Sequence, residues 1–232
     1  MEHFEVIKIV SDGAWFSQLS IDEIERVADR ASLVLFDKKE FLYHSGETRR
    51  NLYCVIRGTV QLSLVDGEGS QFILGSMKEG HWFGEGSVVG AMPLLEIQAV
   101  TPCEILSIPF DEVEAVVNCH TFYKNMLADH LHKVQLIYKL LAGMLFLPLR
   151  ARLAARFLFL IDSFGYATPE GVELNMKLSQ QDFAKMSMGS RQRVNKIFRE
   201  WQASNIYEKR RGKYLVKDLE ALRAQISSKE ES

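Results

Sequence analysis

Polar side chains suited to hydrogen bonding with nucleic acid recur along residues 190–201. Val194, Ile197 and Trp201 are spaced as the buried stripe of an amphipathic helix. The face opposite that stripe carries Arg191, Gln192, Asn195, Lys196 and Arg199. Guanidinium, amide and ammonium groups near the N-terminal end of a helix match the base edges and phosphates of a DNA major groove. The segment therefore predicts a recognition helix.

A shorter helix is predicted just before this one. Ser179 is a suitable N-cap for it, and Phe183 lies on its small apolar face. Met188 and Gly189 then supply a turn, and Ser190 is a suitable N-cap for the recognition helix. Two capped helices joined by a short turn predict a helix-turn-helix.

A strongly basic turn follows the recognition helix. Short strands are predicted at 206–207 and 214–216, and the turn between them carries four cations around Gly212. Such a turn alone is equally typical of a solvated hairpin tip, but its place after the helix pair favours a DNA-binding wing. The candidate DNA-contacting residues are Ser179, Gln180, Ser190, Arg191, Gln192, Arg193, Asn195, Lys196, Lys209, Arg210, Arg211 and Lys213.

The charge of the chain is divided unevenly between its two parts. Residues 1–147 carry 12 Lys and Arg against 20 Asp and Glu, a formal charge of −8. Residues 148–232 carry 16 against 10, a formal charge of +6. The basic part is therefore the candidate binder of a polyanion such as double-stranded DNA.

Residues 32–109 show the alternation of apolar and polar side chains that is typical of half-buried strands. Val60, Leu62 and Leu64 alternate with polar neighbours, and Asp66-Gly67 marks a hairpin turn. Glycines punctuate the remainder at short intervals. The pattern predicts an antiparallel β-roll or jelly roll.

A long helix is predicted from about Thr121 to Phe146. At 1.5 Å per residue it spans roughly 39 Å, too long for its apolar stripe to be buried fully on a small roll. The alternative is a stripe that packs on its own roll, but the length favours a homodimer seam. The seam residues are Leu127, Leu131, Val134, Ile137, Leu141 and Met144.

Pro148 marks the end of this helix, because proline restricts the residue before it and starts the next helix well. The predicted domains are an effector-sensing β-roll over 1–120, a dimerisation helix and hinge over 121–147, and a winged helix-turn-helix over 148–232. The predicted fold class is α+β.

At this point the chain resembles the Crp/Fnr family of bacterial transcription regulators over nearly its whole length. The segment from Gly80 to Glu85 is similar to the G-x-x-x-G-E motif before the family's ligand-binding cassette, and residues 179–198 are similar to its helix-turn-helix. The resemblance implies a homodimer that binds a palindromic operator and contacts RNA polymerase. The effector-pocket residues that it implies are Gly84, Glu85, Gly86 and Ser87.

The recognition helix departs from the family in two ways. In relatives its first, second and sixth residues read bases, which are here Arg191, Gln192 and Lys196. Many members carry glutamate at the second position, so Gln192 implies a different half-site. Met188 also stands where the family's turn usually has glycine, and Gly189 follows one residue late.

The cassette, residues 84–98, lacks a residue on which cyclic-nucleotide binding depends in relatives. There an arginine pairs with the cyclic phosphate while the glutamate holds the ribose, but residues 86–98 contain no Arg or Lys. We therefore predict that cyclic AMP is not the effector and that a neutral or apolar ligand, or none, fills the roll. Backbone amides at Gly86 and Ser87 leave a weakened nucleotide site open.

Two alternatives remain at this stage. A haem-dependent gas sensor of the same fold is compatible with several histidines and cysteines that could act as axial ligands, and a visible spectrum would test it. A metal-dependent cupin enzyme fits poorly, because His81 is followed two residues later by Phe83 where cupins need a second histidine. We predict no metal site, no catalytic residues and no enzyme activity.

The remaining features point to a cytoplasmic protein without a membrane segment. Cys54, Cys103 and Cys119 are odd in number and far apart, which is typical of reduced thiols rather than disulfides. No stretch reaches the roughly 18 apolar residues needed to span a bilayer.

Overall fold

A computed structural model of the chain describes residues 2–47, 50–91, 93–117 and 119–227, with only the backbone of Ser87. It divides into two compact units, Met1–Leu136 and Ile137–Ser232. The first unit contains α1 (His3–Asp12), α2 (Ile21–Ala28), β1 (Ser32–Phe36), β2 (Phe41–Tyr43), β3 (Asn51–Arg57), β4 (Thr59–Val65), β5 (Gln71–Lys78), β6 (Trp82–Phe83), β7 (Glu96–Ala99), β8 (Cys103–Pro109), α3 (Phe110–Val116) and most of α4 (His120–Phe146).

The strands of the first unit form two antiparallel four-stranded sheets. Their orders are β1-β8-β3-β6 and β2-β7-β4-β5. β4 and β5 form the predicted hairpin, in which Val60 lies opposite Met77. Both sheets contribute to one buried core, which includes Val55, Val60, Met77 and Ile105. The predicted antiparallel β-roll is confirmed.

A second core lies on the other face of β3. Successive residues of a strand point to opposite faces, and accordingly Leu52 and Cys54 join this second core while Val55 joins the first. Trp15, from a short 3₁₀ turn after α1, and Phe122 of α4 complete it. The beginning of α4 is therefore anchored to the first unit by apolar packing.

The second unit begins in the last turns of α4. Its further elements are α5 (Leu149–Phe164), β9 (Gly165–Thr168), β10 (Gly171–Leu174), α6 (Gln180–Ser187), α7 (Arg191–Ala203), β11 (Tyr207–Arg210), β12 (Lys213–Val216) and α8 (Leu219–Ser227). The four strands form one sheet in the order β11-β12-β10-β9. The β9–β10 hairpin and α8 were not predicted from the sequence.

Aromatic rings hold the second unit together. The ring of Phe157 on α5 lies 5.4 Å from that of Phe183 on α6 and 5.9 Å from that of Phe198 on α7. Tyr207 and Tyr214 from β11 and β12 join the cluster. Edge-on ring contacts of this kind stabilise a core beyond the area that they bury. They fix both helices of the predicted helix-turn-helix against α5 and the sheet.

The helix break at Pro148 lies where the sequence predicts it. Pro148 is the N-cap of α5 with a φ of −65°, the angle that its ring imposes. The division between the two compact units lies earlier, between Leu136 and Ile137 within α4. The three predicted domain ranges stay a prediction.

Candidate nucleic-acid interface and effector cassette

The helix-turn-helix is built by two serine caps and an unusual turn. The Ser179 hydroxyl accepts from the backbone amide of Asp182, and Ser190 accepts from that of Arg193. Met188, between the helices, has a left-handed backbone with φ 50° and ψ 45°. Left-handed geometry usually requires glycine, so Met188 holds a backbone conformation that is strained for a residue with a Cβ.

Gly189 is explained by packing rather than by backbone conformation. A Cβ atom at this position would lie 2.6 Å from Cδ1 of Leu149 on α5, closer than carbon atoms approach. An alanine at 189 would therefore force the Leu149 side chain to shift, so glycine suits the close packing of this turn against α5. Gly189 thus serves close packing against α5, whereas the residue with the left-handed backbone is Met188, directly before it.

The recognition helix α7 buries its predicted apolar stripe and exposes its predicted polar face, except for Asn195, which is half-buried. Val194, Ile197, Phe198 and Trp201 are buried, while Arg191, Gln192, Arg193, Lys196 and Arg199 are exposed. Over the described part of the chain, none of these four arginine and lysine side chains has a carboxylate within salt-bridge distance. They are free to pair with phosphates or base edges.

Residues from three elements line one open concave surface beside α7. They are Ser179, Gln180 and Gln181 at the start of α6, Arg191 of α7 and Lys209 of β11. The Gln180 side-chain amide donates to Asn195 Oδ1 at 3.3 Å, which joins the two helices. Gln181 was missed in the sequence analysis, because its position shows only in three dimensions.

A polar cluster fixes the end of α7 to the beginning of α5. The Arg150 guanidinium donates to Glu200 and, at 3.4 Å, to Oε1 of Gln225 on α8. Nε1 of Trp201 donates to the same amide oxygen at 3.0 Å. Arg150 lies two residues after Pro148, so the helix that follows the hinge contacts the recognition helix directly. No local sequence pattern predicts this cluster, because its members are up to 75 residues apart.

The wing directs its cations to two different faces. Lys209 lies over the Tyr214 ring at 4.7 Å and joins the concave surface. Arg211 is exposed at the turn with a φ of 48°. Arg210 and Lys213 instead contact carboxylates of Glu170 and Glu173 from the β9–β10 hairpin.

The effector cassette begins with a tightly constrained glycine. Gly84 has a φ of 98°, and a Cβ there would lie 2.3 Å from the backbone oxygen of Asn51. The next residue, Glu85, accepts from Lys133 Nζ at 3.2 Å and contacts His130 Nδ1 at 3.4 Å. Both partners belong to α4, so Glu85 of the cassette contacts the long helix.

Lys133 takes part in several further contacts. Its ammonium donates to Asp129 at 2.9 Å and to the Trp82 carbonyl oxygen at 3.1 Å, and lies 5.2 Å from the Trp15 ring centre. Trp15 in turn donates to Asp129 at 2.9 Å. These contacts order the side chains at the rim of the cassette.

The rest of the cassette carries no cation, and its charged group is an acid. Glu96 contacts His44 Nδ1 at 3.2 Å, and the Ala91 amide closes a turn onto the Gly86 carbonyl oxygen at 3.0 Å. In the roll core, the rings of Tyr53 and Phe83 stack with their centres 5.1 Å apart. Burial raises the pKa of the nearby Tyr43 hydroxyl above its usual value, so that it stays neutral.

The cysteines and histidines are dispersed. Cys54 is buried, and desolvation raises the pKa of its thiol to about 12. Within residues 2–47, 50–91, 93–117 and 119–227, no group of three or more His, Cys, Asp or Glu side chains is arranged to hold a metal ion. His81 contacts the Lys78 carbonyl oxygen at 3.0 Å at an exposed position.

Much of the apolar stripe of α4 is exposed. Phe122 and Met126 pack into the first unit, whereas Leu127, Leu131 and Leu141 are 56%, 52% and 52% exposed. Leu127 and Leu131, the predicted seam residues at the start of the stripe, are thus largely uncovered within the first unit. Among the helices described, none is long and apolar enough to cross a membrane.

Comparison with known proteins identifies two domain families. Residues 33–120 match the cyclic nucleotide-binding domain, and residues 151–225 match the Crp-like helix-turn-helix domain. The chain is 25% identical over 199 residues to the global nitrogen regulator of Synechocystis sp., covering 83% of this chain and 87% of that protein. It is 26% identical over 168 residues to the cAMP-activated global transcriptional regulator CRP of Pasteurella multocida, covering 71% and 79%.

Solved structures share the fold. A CooA mutant from Carboxydothermus hydrogenoformans matches with a TM-score of 0.71 at 24% identity, over 90% of this chain and 91% of that one. FixK2 from Bradyrhizobium japonicum matches with a TM-score of 0.74 at 15% identity, over 86% and 98%. The chain belongs to the Crp/Fnr family, whose members are DNA-binding transcription regulators and generally dimeric.

Proposed function

We propose that this regulator is a homodimer, without enzyme activity, that binds a twofold-symmetric operator with one α7 in each half-site. The observation that carries this is the row of exposed cations on α7 that have no carboxylate partner among the described residues, continued by Lys209 of the wing. Two α7 helices related by a twofold axis would enter successive major grooves about one helical turn apart, roughly 10 bp. RNA polymerase is the proposed partner at the promoter.

The proposed contacts divide into two kinds. Arg191, Gln192 and Lys196 lie on the exposed face of α7 and are proposed to read base edges, where an arginine favours guanine and a glutamine favours adenine. Of the remaining candidates, those without a carboxylate partner among the described residues, such as Arg193, Lys209 and Arg211, are proposed to bind phosphates, which position the protein without reading sequence. This division predicts which substitutions relax specificity and which weaken binding to all DNA.

The proposed dimer seam is the exposed stripe of α4. Leu127, Leu131 and Leu141 would otherwise leave a continuous apolar surface in water. Val134 and Met144 lie on the same helix and are half-buried. A parallel pair of such helices would bury this stripe and place the two second units side by side on DNA.

We further propose that the effector is not a cyclic nucleotide. Lys133 is the cation nearest to Glu85, but it is shared between the carboxylates of Glu85 and Asp129. The local sum of these three charges is negative, so a cyclic phosphate would meet net repulsion. A neutral ligand that donates a hydrogen bond to Glu85 would compete with Lys133 for it and shift the population of α4 arrangements instead.

Selection of bound sequences from a random DNA pool tests the operator proposal. A palindrome with half-sites about 10 bp apart is expected, and its absence would count against two symmetric recognition helices. Arg191→Ala should relax one position of each half-site at a cost of about 1 to 3 kcal/mol. Lys209→Ala should weaken operator and scrambled DNA alike.

Calorimetric titration with cyclic AMP and cyclic GMP tests the effector proposal. No saturable heat is expected with either nucleotide at millimolar concentration. Micromolar binding that disappears in Glu85→Ala would overturn it. Mass spectrometry of small molecules released from the purified protein would identify the ligand that is bound.

A further inference from the structure

Strand geometry places the basic side chains of the wing hairpin, β11 and β12, on two opposite faces. In β11 and β12, Lys209 lies opposite Tyr214 and Arg210 lies opposite Lys213. Directly opposed residues share a face of the sheet, and neighbouring residues alternate between faces. Lys209 and Tyr214 therefore lie on one face, and Arg210 and Lys213 lie on the other.

The Lys209 face is open toward the recognition helix. Lys209 Nζ donates to the Tyr214 hydroxyl at 3.2 Å, and its side chain lines the concave surface together with Arg191. Arg211 lies at the exposed turn between the strands. Among the described residues, neither Lys209 nor Arg211 has a carboxylate within salt-bridge distance.

On the opposite face, Lys213 is held by the β9–β10 hairpin. Its ammonium lies 2.9 Å from Glu173 and 3.2 Å from the Tyr166 hydroxyl, and Tyr166 itself donates to Glu173. Glu173 is directly opposite Tyr166 in the sheet, so the strand register fixes this triad. The Lys213 and Tyr166 contacts also hold the pKa of Glu173 below its usual value.

Arg210 is held by two carboxylates. Its guanidinium donates to Glu208 in a bidentate pair at 2.7 and 3.0 Å, and also to Glu170. Glu208 additionally contacts Lys217 at 2.8 Å, and these partners lower its pKa to about 2. Single exposed ion pairs contribute little, but a connected network with bidentate geometry holds its members more firmly.

We propose that Glu170 and Glu173 are negative determinants of DNA binding, which keep Arg210 and Lys213 from phosphates and leave Lys209 and Arg211 as the wing's DNA contacts. This inference rests on the proposed role of the wing. A cation that is already paired must exchange one anion for another, so it gains little from a phosphate. The carboxylates also repel the DNA backbone and thereby lower affinity for sequences that α7 does not recognise.

Glu173→Gln tests the inference in the full-length protein. Binding to scrambled duplex DNA is measured by fluorescence anisotropy between about 50 and 200 mM salt. Freeing Lys213 should steepen the dependence of log K on log salt by about 0.9 for each new phosphate contact and tighten binding on the order of tenfold at 0.1 M salt. Glu220→Gln is the matched control, because Glu220 forms an exposed pair with Arg223 on α8. It should leave the slope unchanged.

A second substitution, Lys213→Gln, completes a double-mutant cycle with Glu173→Gln. Lys213→Gln should leave the slope unchanged in the wild-type background but abolish the gain in the Glu173→Gln background. If Lys213→Gln alone lowers the slope by about 0.9, Lys213 already contacts phosphate and the inference is wrong. Weaker binding by Glu173→Gln would also overturn it, since the carboxylate would then orient Lys213 toward DNA.

Two further variants distinguish a failure of this inference from a failure of the proposed DNA-binding role of the wing. Lys209→Gln and Arg211→Gln should each lower the slope in the wild-type background. If they do so while Glu173→Gln has no effect, the wing binds DNA, but the inference that Glu170 and Glu173 oppose DNA binding is wrong. If none of the three substitutions changes the slope, the wing does not contact DNA. Both the proposed role of the wing and the inference that rests on it then fail.

Discussion

The ammonium of Lys133 lies 3.2 Å from the Glu85 carboxylate, so one cation joins the effector cassette to the long helix α4. The same group also contacts Asp129 one turn earlier. Both side chains of the Lys133–Glu85 pair are largely shielded from water, at 31% and 19% exposure. A ligand that uses Glu85 must therefore compete with α4 for it.

Lys133→Gln should destabilise the first unit, because two carboxylates lose their cation and Trp15 loses its contact with it. We expect the free energy of unfolding to fall by about 1 to 2 kcal/mol. Lys124→Gln is the control, since Lys124 is an exposed lysine earlier on α4. Chemical denaturation measures both, and equal losses would mean that the Lys133 network contributes nothing of its own.

Met188→Gly should stabilise the second unit. The left-handed backbone at φ 50° strains any residue with a Cβ, and glycine removes about 1 kcal/mol of that strain. Met188→Ala keeps the Cβ and should gain nothing. Gly189→Ala should destabilise, because its Cβ would meet Leu149. Thermal unfolding checks all three, and an equal gain from alanine at 188 would assign the effect to the exposed side chain instead.

Arg150→Gln should weaken operator binding more than binding to scrambled DNA. The substitution releases the end of α7 from α5, so the recognition face loses its fixed orientation. We expect about a fivefold loss of operator affinity, equivalent to ~1 kcal/mol. Arg223→Gln on α8 removes an exposed ion pair instead and should change neither affinity. Equal loss with both DNAs would indicate that Arg150 serves folding alone.

Leu141→Glu should convert the dimer to monomers. In a symmetric seam the new carboxylate would be buried beside its own symmetry mate, which is strongly unfavourable. Val134→Glu should act in the same way, whereas Gln135→Glu, at a neighbouring exposed position, should not. Light scattering reports the mass directly. A dimer that persists in both seam variants would place the interface elsewhere.

The parts of this fold that the sequence predicted are those specified locally. Ser179 and Ser190 cap helices whose N-termini lie a few residues away, and the β4–β5 turn is encoded by consecutive residues. Such features are readable because the interacting groups are neighbours in the chain. The apolar stripe of α7 is readable for the same reason.

The parts that were missed depend on contacts between distant residues. Glu173 lies 40 positions before Lys213, and Glu85 lies 48 before Lys133. A lone glutamate in a sequence is typical of a solvated surface, and nothing local indicates which cation it meets. From the sequence, the wing was therefore predicted to make four equivalent DNA contacts, although strand register places Arg210 and Lys213 on the face opposite Lys209. Arg211 lies in the turn between the strands.

If Arg210 and Lys213 are kept from phosphates as proposed, their paired state would affect how the regulator is distributed along a chromosome. A genome offers about 10⁶ to 10⁹ competing sites, so the time spent on an operator depends on how weakly the rest is held. Each wing cation kept from phosphate shortens the dwell time on unrelated DNA. The carboxylates of Glu170 and Glu173 would thus shorten the search for the operator, because the regulator would spend less time bound to non-specific DNA.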